Sequence, residues 1–213
     1  MLTVHHLGRS QSERIVWLCE ELGLEYELKR YDRNPTTRLA PPELKALHPL
    51  GTAPVISDGD LVLAESGAIV EYLIARHGGG RLALPPAHPD YPHYIYWFHF
   101  ANSNLQALLH RYMIARRLEP APDHPTLLDL EARLGRALGM TDKRLAAADY
   151  LAGEEFTAAD IMIFFSLTTM RTFLSFEVAP YPNVLSYLRR IGDREGYRRA
   201  MQKGDPDREP LLS

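Results

Sequence analysis

Apolar and polar positions alternate with two different periods in the first third of the chain. Leu2 to His6 and Tyr26 to Tyr31 are short β-prone runs, whereas the residues between them repeat apolar side chains at helical spacing. Gly23 follows this helical run at the position where glycine usually ends a helix. The pattern predicts a strand, a helix and a second strand parallel to the first. The apolar face of the helix consists of Ile15, Leu18, Cys19 and Leu22.

A second pair of β-prone runs predicts a hairpin. Pro54 to Ile56 and Leu61 to Leu63 flank the polar, glycine-containing segment Ser57 to Asp60. Pro54 opens the first of these strands, where its missing N–H does least harm. The bond between Ala53 and Pro54 is the place where a cis peptide would occur.

Proline and glycine mark the boundaries between these elements and the rest of the chain. Prolines make Asp32 to Leu47 a loop with one short helix at most, and the apolar run from Ala68 to Arg76 predicts the next helix. Three glycines and two prolines then break the periodicity over residues 78–88. We therefore predict an α/β domain over residues 1–77, a linker, and a second domain over residues 89–213.

The second domain is expected to be an all-α bundle, because its apolar residues keep helical spacing throughout. A long helix is predicted to run from Tyr94 to Tyr112. Further helices are expected over 127–138, 161–174 and 184–191. Thr157 followed by Asp160 three residues later has the spacing of a capping box at the start of one of them.

Composition limits the partners and the compartment. The net charge of −3 gives no electrostatic case for binding nucleic acid, and no dense basic block indicates a membrane surface. No apolar run approaches the roughly 20 residues of a transmembrane helix, and the N-terminus has no long apolar region of a secretory signal. The single cysteine, Cys19, excludes an internal disulfide and fits the reducing cytoplasm.

Glu65 and Ser66, at the predicted start of a helix, are the strongest candidates for binding a ligand. A helix N-terminus has unpaired N–H groups and partial positive charge, so it attracts a carboxylate, and Glu65 can pair with an ammonium group. The α-end of a γ-glutamyl group carries one carboxylate and one ammonium. The strand that begins near Ala53 can bind a peptide backbone by pairing with it as an added strand. On these residues alone, a helix cap at Ser66 and a first-turn acid at Glu65 remain open.

The order of these motifs resembles that of the cytosolic glutathione S-transferases, and in particular of serine-type members from bacteria and fungi. That family carries Pro-x-Gly-x-x-Pro followed by Glu-Ser, which stand here as Pro49 to Pro54 and Glu65-Ser66. The resemblance extends over essentially the whole chain. It implies a thioredoxin-like α/β domain followed by an all-α bundle, a homodimer, and an enzyme that ionises the thiol of its co-substrate glutathione for attack on apolar electrophiles.

The resemblance also implies roles for residues between the first strand and the first helix. Serine-type transferases place an activating hydroxyl there and an arginine in the following helical turn, a spacing that Ser10 and Arg14 match. A hydroxyl that donates to a thiolate near a helix N-terminus lowers the thiol pKa. Ser12 is the alternative hydroxyl or a capping residue, and a backbone N–H is a further alternative. The other glutathione contacts implied are Thr52, Ala53, Pro54, Glu65 and Ser66.

Aromatic residues of the long helix are candidates for the site of the apolar electrophile, although bundle core is the simpler interpretation for any one of them. These residues are Tyr94, Trp97, Phe98 and Tyr112. The nine histidines predict no metal site, because no H-E-x-x-H or paired Cys/His set occurs. The adjacent His5 and His6 would point to opposite faces of a strand. The resemblance also marks Asp160 as a structural residue buried beneath the bundle.

The same fold leaves two alternatives to glutathione conjugation. One is a glutathione-dependent peroxidase or isomerase that uses the same thiolate. The other is a glutathione-binding or regulatory protein without turnover. Retention on immobilised glutathione, followed by conjugation and hydroperoxide assays, discriminates among these functions.

Overall fold

A computed structural model describes all 213 residues, which divide into two compact units. Unit 1 consists of Met1–Ala83 and Gly192–Pro210, and unit 2 consists of Leu84–Ile191 and Leu211–Ser213. The sequence-based division assigns all C-terminal residues to the helical domain. The contacts of residues 192–210 instead assign them to the same unit as the N-terminal strands.

Unit 1 is built on a four-stranded sheet with the strand order β2-β1-β3-β4. The strands are β1 (Leu2–Leu7), β2 (Glu27–Tyr31), β3 (Val55–Asp58) and β4 (Leu61–Ala64). β2 runs parallel to β1, and β3 pairs antiparallel with both β1 and β4. The predicted strand–helix–strand unit and the hairpin are confirmed, and the peptide before Pro54 is cis. Gly59 in the hairpin turn has a φ of 58°, which favours glycine.

Helices make up most of the remaining chain. They are α1 (Glu13–Leu22), α2 (Pro42–Lys45), α3 (Ser66–Arg76), α4 (Tyr91–Phe100), α5 (Ala107–Arg117), α6 (Pro125–Leu145), α7 (Ala158–Leu167), α8 (Pro182–Gly192) and α9 (Glu195–Gly204). None of them combines the length and the apolar character that crossing a bilayer requires. An α/β domain followed by an all-α bundle is therefore observed, which confirms the predicted fold class.

The first helix, α1, is buried on all of its faces. It packs against β1, α3 and α9, and only Glu21 among its ten residues is not buried. Gly23 ends the helix with a φ of 63°, as its sequence position predicts. Because water is excluded around α1, the polar groups at its N-terminus have to find their partners within the protein.

The C-terminal helix α9 docks along α1 and was not predicted from the sequence. Tyr197 and Ala200 share its buried face, and the Tyr197 ring meets Trp17 edge to face with centroids 5.1 Å apart. Arg194 donates two hydrogen bonds to the Glu21 carboxylate, at 2.9 and 2.8 Å. Aromatic packing and a bidentate ion pair therefore hold the end of the chain on unit 1.

The helix predicted from Tyr94 to Tyr112 is interrupted in the structure. A π-helical segment, Ala101–Gln106, separates α4 from α5. Asparagine and serine are common in this segment, and such side chains compete for backbone hydrogen bonds. Ser103 Oγ donates to the carbonyl of His99 at 2.7 Å. The local sequence thus favours a wider helical turn at this position.

The apolar run from Ile161 to Leu174 is also shorter as an α-helix than predicted. α7 ends at Leu167, and a 3₁₀ turn over Thr169–Thr172 follows it. Thr168 has a φ of −123° and a ψ of −89°, outside the helical region. Its hydroxyl donates to the carbonyl of Phe164 at 2.8 Å, a side-chain bond that competes with the helical pattern.

The capping box at the start of α7 is confirmed. Thr157 caps the helix, and the Asp160 carboxylate is fully buried. It accepts hydrogen bonds from the N–H groups of Leu151 and Thr157 and from the Tyr187 hydroxyl, at 3.0, 2.9 and 3.0 Å. Burial raises the pKa of Asp160 to about 6, against the opposing effect of these hydrogen bonds. With the Thr157 hydroxyl, which also donates to it at 3.3 Å, this one carboxylate satisfies four buried donors in unit 2.

We predict that Asp160→Ala lowers the free energy of unfolding by about 3–5 kcal/mol, because it leaves several buried donors without an acceptor. Urea denaturation measures the change. Asp129→Ala is the matched control, since the exposed pair between Asp129 and Arg133 is worth about 1 kcal/mol or less. Equal stabilities of the two variants would contradict the structural role of Asp160.

Candidate functional site

Three strand ends meet at one edge of the sheet in unit 1. The β1–β3 register sets His5 opposite Val55, and the β3–β4 register sets Val55 opposite Ala64. β1 therefore ends where β3 begins and β4 ends. The loop to α1 follows the end of β1, the Ala53–Pro54 peptide precedes the start of β3, and Glu65 follows the end of β4. All three therefore come together at this edge.

Ser10 and Ser12 share a hydrogen bond in the loop between β1 and α1. Their hydroxyl oxygens lie 2.7 Å apart, and Ser10 Oγ accepts from the Ser12 N–H at 3.2 Å. Ser12 is fully buried, whereas Ser10 keeps 7% of its surface exposed, so Ser10 is the hydroxyl that a ligand can reach. Ser12 lies at the predicted N-cap position of α1, but its side chain makes no capping hydrogen bond and instead accepts from the Leu7 N–H at 3.1 Å.

Arg14 is fully buried in the first turn of α1 and joins this helix to α3. Its Nη1 donates to Gln11 Oε1 at 3.0 Å and to Ser66 Oγ at 3.2 Å. Burial lowers the pKa of the guanidinium to about 9, while the neighbouring Glu13 carboxylate acts in the opposite direction. Arg14 therefore orients Ser66 from inside the protein.

Glu65 lies at the N-cap position of α3 with an unusual backbone. Its φ of 71° and ψ of 115° fall in a region that favours glycine, at a cost on the order of 1–3 kcal/mol for other residues. The side chain is exposed and has no partner within the protein. The backbone thus holds an unpaired carboxylate beside the N-terminus of α3.

Ser66 is the first residue of α3 rather than its cap. Its side chain makes no capping hydrogen bond; the hydroxyl accepts from Arg14 and lies 3.5 Å from Gln11 Oε1, to which it donates. The alternative in which Ser66 is only a cap is therefore wrong. The first N–H groups of α3 have no helical acceptor, which makes this end attractive to a carboxylate.

Ala53 lies two residues before the first residue of β3 and is joined to Pro54 by the cis peptide. The strand pairings of β3 begin at Val55, so the backbone of Ala53 lies outside them. Its side chain packs in a small cluster with Leu7 at the end of β1, which keeps Ala53 beside the serine loop. Thr52 is exposed, and Pro54 is buried. A peptide backbone can pair with Ala53 as an added strand.

The aromatic candidates all belong to the helical bundle of unit 2. All four are at most 8% exposed and pack in the bundle; they are Tyr94, Trp97, Phe98 and Tyr112. The Tyr112 hydroxyl donates to Glu131 Oε1 at 2.7 Å. The exposed apolar residues of α4 are instead Ile95 and Tyr96, which line an open groove with Phe100. A role for the four buried aromatics toward an electrophile stays a prediction.

Two further residues adjoin the serines and were not assigned to the site from the sequence. His6 Nδ1 lies 2.9 Å from Ser12 Oγ, and His6 Nε2 lies 3.2 Å from Asp205 Oδ2. The sequence around His6 suggests at most a metal ligand, and Asp205 lies 199 positions away with no local signal that relates it to His6. No group of three or more His, Cys, Asp or Glu side chains is arranged to hold a metal ion.

Family comparisons agree with the motifs and the fold. The N-terminal domain model of the glutathione S-transferases matches residues 1–75, and the C-terminal domain model matches residues 100–195. Glutathione S-transferase 3 of Schizosaccharomyces pombe is 32% identical, over 100% of this chain and 92% of its own length.

Solved structures give the same result. The crystal structure of a glutathione S-transferase from Actinobacillus pleuropneumoniae is 37% identical with a TM-score of 0.87, covering 96% of this chain and 93% of that one. A glutathione transferase family member from Pseudomonas fluorescens with two glutathione molecules bound shares the fold. It has 24% identity and a TM-score of 0.77, covering 94% of this chain and 92% of that one. The chain belongs to the glutathione S-transferase family.

Proposed function

We propose that this protein is a glutathione transferase that binds glutathione at the sheet edge of unit 1 and presents its thiolate to an apolar electrophile. The observation that carries the proposal is the exposed, unpaired Glu65 carboxylate, fixed by its backbone beside the N-terminus of α3. A γ-glutamyl group carries one ammonium and one carboxylate. Its ammonium can bind the Glu65 carboxylate, and its carboxylate can bind the unpaired N–H groups of the helix.

Glutathione is held at three points in this proposal. Glu65 binds the ammonium group, and the N-terminus of α3 with Ser66 binds the adjacent carboxylate. The backbone of Ala53 pairs with the peptide in extended form, flanked by Thr52 and Pro54. Because several polar contacts fix both ends of the γ-glutamyl peptide, the cysteinyl thiol is positioned before reaction.

Ser10 acts on the thiol itself. Its hydroxyl is the partly exposed member of the serine pair, next to the N-terminus of α1. A hydroxyl that donates to the thiolate, together with the helix dipole, favours the ionised form and lowers the thiol pKa. The thiolate then attacks the electrophile directly, so the protein contributes ionisation and positioning rather than a covalent intermediate. Arg14 supports this arrangement by fixing Ser66.

In this proposal residues 1–77 bind glutathione and residues 78–88 are the linker. The helices between residues 89 and 191 supply the apolar electrophile site, because residues 192–210 belong to unit 1. Aromatic side chains of α4 and α5 are the proposed lining of that site: Tyr94, Trp97, Phe98 and Tyr112. We further propose that the protein works in the cytoplasm, which suits its single, buried cysteine.

A homodimer is part of the proposal. Closed two-fold assemblies are the commonest soluble oligomers. In unit 2, Ile95 and Tyr96 are 38% and 47% exposed beside an open apolar groove, the kind of patch that marks a protein interface.

We predict that wild-type protein is retained on immobilised glutathione and conjugates a chromogenic electrophile, and that Ser10→Ala keeps retention but loses turnover. One hydrogen bond to a charged group is worth roughly 1.5–3 kcal/mol, so kcat should fall about 10- to 150-fold. The KM for glutathione should change by about threefold or less. Steady-state kinetics measure both constants.

Ser57→Ala is the control for this experiment, because the Ser57 hydroxyl contacts His5 on another part of the sheet, at 3.0 Å. It should leave turnover unchanged. Retention without conjugation by the wild-type protein, or hydroperoxide reduction alone, would refute the transferase assignment. Normal turnover of Ser10→Ala together with lost turnover of Ser12→Ala would mean that Ser12, and not Ser10, activates the thiol.

We predict that Glu65→Gln weakens glutathione binding about 10- to 100-fold, because it removes the charge that pairs with the ammonium group. Isothermal titration calorimetry measures the affinity. Glu71→Gln, an exposed carboxylate on the same helix, is the matched control and should bind normally.

Ser66→Ala should weaken glutathione binding and also lower the free energy of unfolding by about 1–3 kcal/mol, since buried Arg14 loses an acceptor. Unchanged affinity in folded Glu65→Gln and Ser66→Ala would mean that the γ-glutamyl end binds elsewhere.

We predict a mass in solution twice that of the 24.2 kDa chain, measured by light scattering across micromolar concentrations. Tyr96→Glu should shift this mass toward the monomer, because it places a charge in the apolar groove. Leu128→Glu, on another exposed apolar position of unit 2, should not. A monomer mass for the wild type would overturn the dimer.

A further inference from the structure

A continuous chain of hydrogen bonds leads inward from the Ser10 hydroxyl. Ser10 Oγ lies 2.7 Å from Ser12 Oγ, and Ser12 Oγ lies 2.9 Å from His6 Nδ1. His6 Nε2 lies 3.2 Å from Asp205 Oδ2, and the other oxygen of Asp205 accepts from the Arg9 N–H at 3.1 Å. The chain therefore connects a hydroxyl at the ligand site with a carboxylate near the end of the polypeptide.

The two inner members of this chain are shielded from water, whereas Asp205 at its far end lines an open pocket with Arg9 and Arg208. Ser12 and His6 are fully buried, Ser10 is 7% exposed and Asp205 is 8% exposed. Gly204 packs closely against the His6 ring, since a Cβ at position 204 would lie only 3.2 Å from His6 Nε2. A proton within such a chain can move only along its hydrogen bonds, because no solvent reaches the inner atoms.

The carboxylate sets the direction of these bonds. Burial favours the neutral acid, but the hydrogen bond from His6 and the N–H of Arg9 hold the pKa of Asp205 below its usual value. An ionised carboxylate only accepts, so His6 carries a proton on Nε2. In neutral His6, Nδ1 then accepts from the Ser12 hydroxyl, which leaves Ser12 Oγ to accept from Ser10.

We infer that His6 is the acceptor of the glutathione thiol proton, which reaches it through the hydroxyls of Ser10 and Ser12, and that Asp205 holds His6 in the required tautomer. The inference rests on the proposed function, since it needs a thiol at Ser10. His6 and Asp205 act through the serines and are positioning residues, whereas Ser10 touches the substrate.

The transfer balances without any further reactant. The S–H bond of glutathione breaks, Ser10 and Ser12 each take one proton and pass one on, and a new N–H bond forms at His6 Nδ1. The products are a thiolate and an imidazolium paired with the Asp205 carboxylate. The Ser10 hydroxyl now points its hydrogen at the thiolate, the orientation in which it stabilises the negative charge. After the product leaves, the proton returns through the Ser12 and Ser10 hydroxyls to solvent at the ligand site, which restores neutral His6.

This transfer gives the wild-type protein a distinctive proton balance. Thiolate formation at neutral pH should release almost no proton to solvent, because His6 keeps it. Without His6, each thiolate formed should release about one proton. A purely structural role of His6 would leave the proton count unchanged.

The experiment mixes protein and glutathione in weak buffer and follows thiolate absorbance together with a pH indicator. Binding of S-methylglutathione, which lacks a thiol proton, is subtracted. This subtraction removes contributions from the other ionisable groups of the surrounding elements. These groups include Arg30 on β2, Arg33 after it, Glu13 on α1, Tyr197 on α9 and Arg208 after it. The wild-type measurement by itself tests the inference, so it does not depend on the folding of any variant.

His6→Gln and Asp205→Asn should raise the pH of half-ionisation of the bound thiol by about one unit, which lowers kcat/KM about tenfold at slightly acid pH. Ser12→Ala should act in the same direction because it breaks the chain. His5→Gln is the matched control. His5 is the adjacent buried histidine, but its ring contacts Tyr31 and Ser57, so the thiol titration should not change.

Release of one proton per thiolate by the wild-type protein would overturn the inference while leaving the transferase assignment intact. An unchanged thiol titration in folded His6→Gln would also overturn it. The absence of any thiolate absorbance in the wild-type complex would instead overturn the proposed function together with the inference that rests on it.

Discussion

Burial of all of α1 except Glu21 is the constraint on which the rest of unit 1 depends. The sheet, α3 and α9 cover the helix, so the polar groups at its first turn have no water to bind. Each of them would cost several kcal/mol if unpaired. Arg14 is therefore tied to Gln11 and Ser66, and Ser12 is tied to Ser10 and His6. Burial of these polar groups would lower stability if they were unpaired. Because they are paired with one another, the same burial produces an ordered polar network at the site.

The network divides the site into buried and exposed parts with different tasks. Arg14 and Ser12 are inaccessible and can only orient their neighbours. Glu65 is exposed and is held in place by its left-handed backbone, while Ser10 keeps a small exposed surface. Rigid inner groups that support a few outer ones are what a preorganised site requires, because little reorganisation then opposes binding and ionisation.

The end of the chain is part of unit 1 together with its beginning. α9 is anchored on α1 by the contact of Trp17 with Tyr197 and by the pair of Arg194 with Glu21. This docking delivers Asp205 to His6, where it completes the hydrogen-bond chain behind Ser10. Stability of the C-terminal helix and the electrostatics of the serine loop are thus linked through one packed surface.

The sequence by itself determined the elements whose causes are local. Gly23 at the end of α1, the hairpin around Gly59 and the Thr157–Asp160 box each depend on a few neighbouring residues, and the structure contains all of them. Helical periodicity located most of the remaining helices but made two of them, from Tyr94 and from Ile161, longer than they are. The family motifs likewise pointed to Glu65-Ser66 and the serine loop. Only tertiary structure decided that Ser12 pairs with His6 rather than capping α1, and that Asp205 lies beside it. Contacts across 199 positions arise from packing, which local periodicity does not encode.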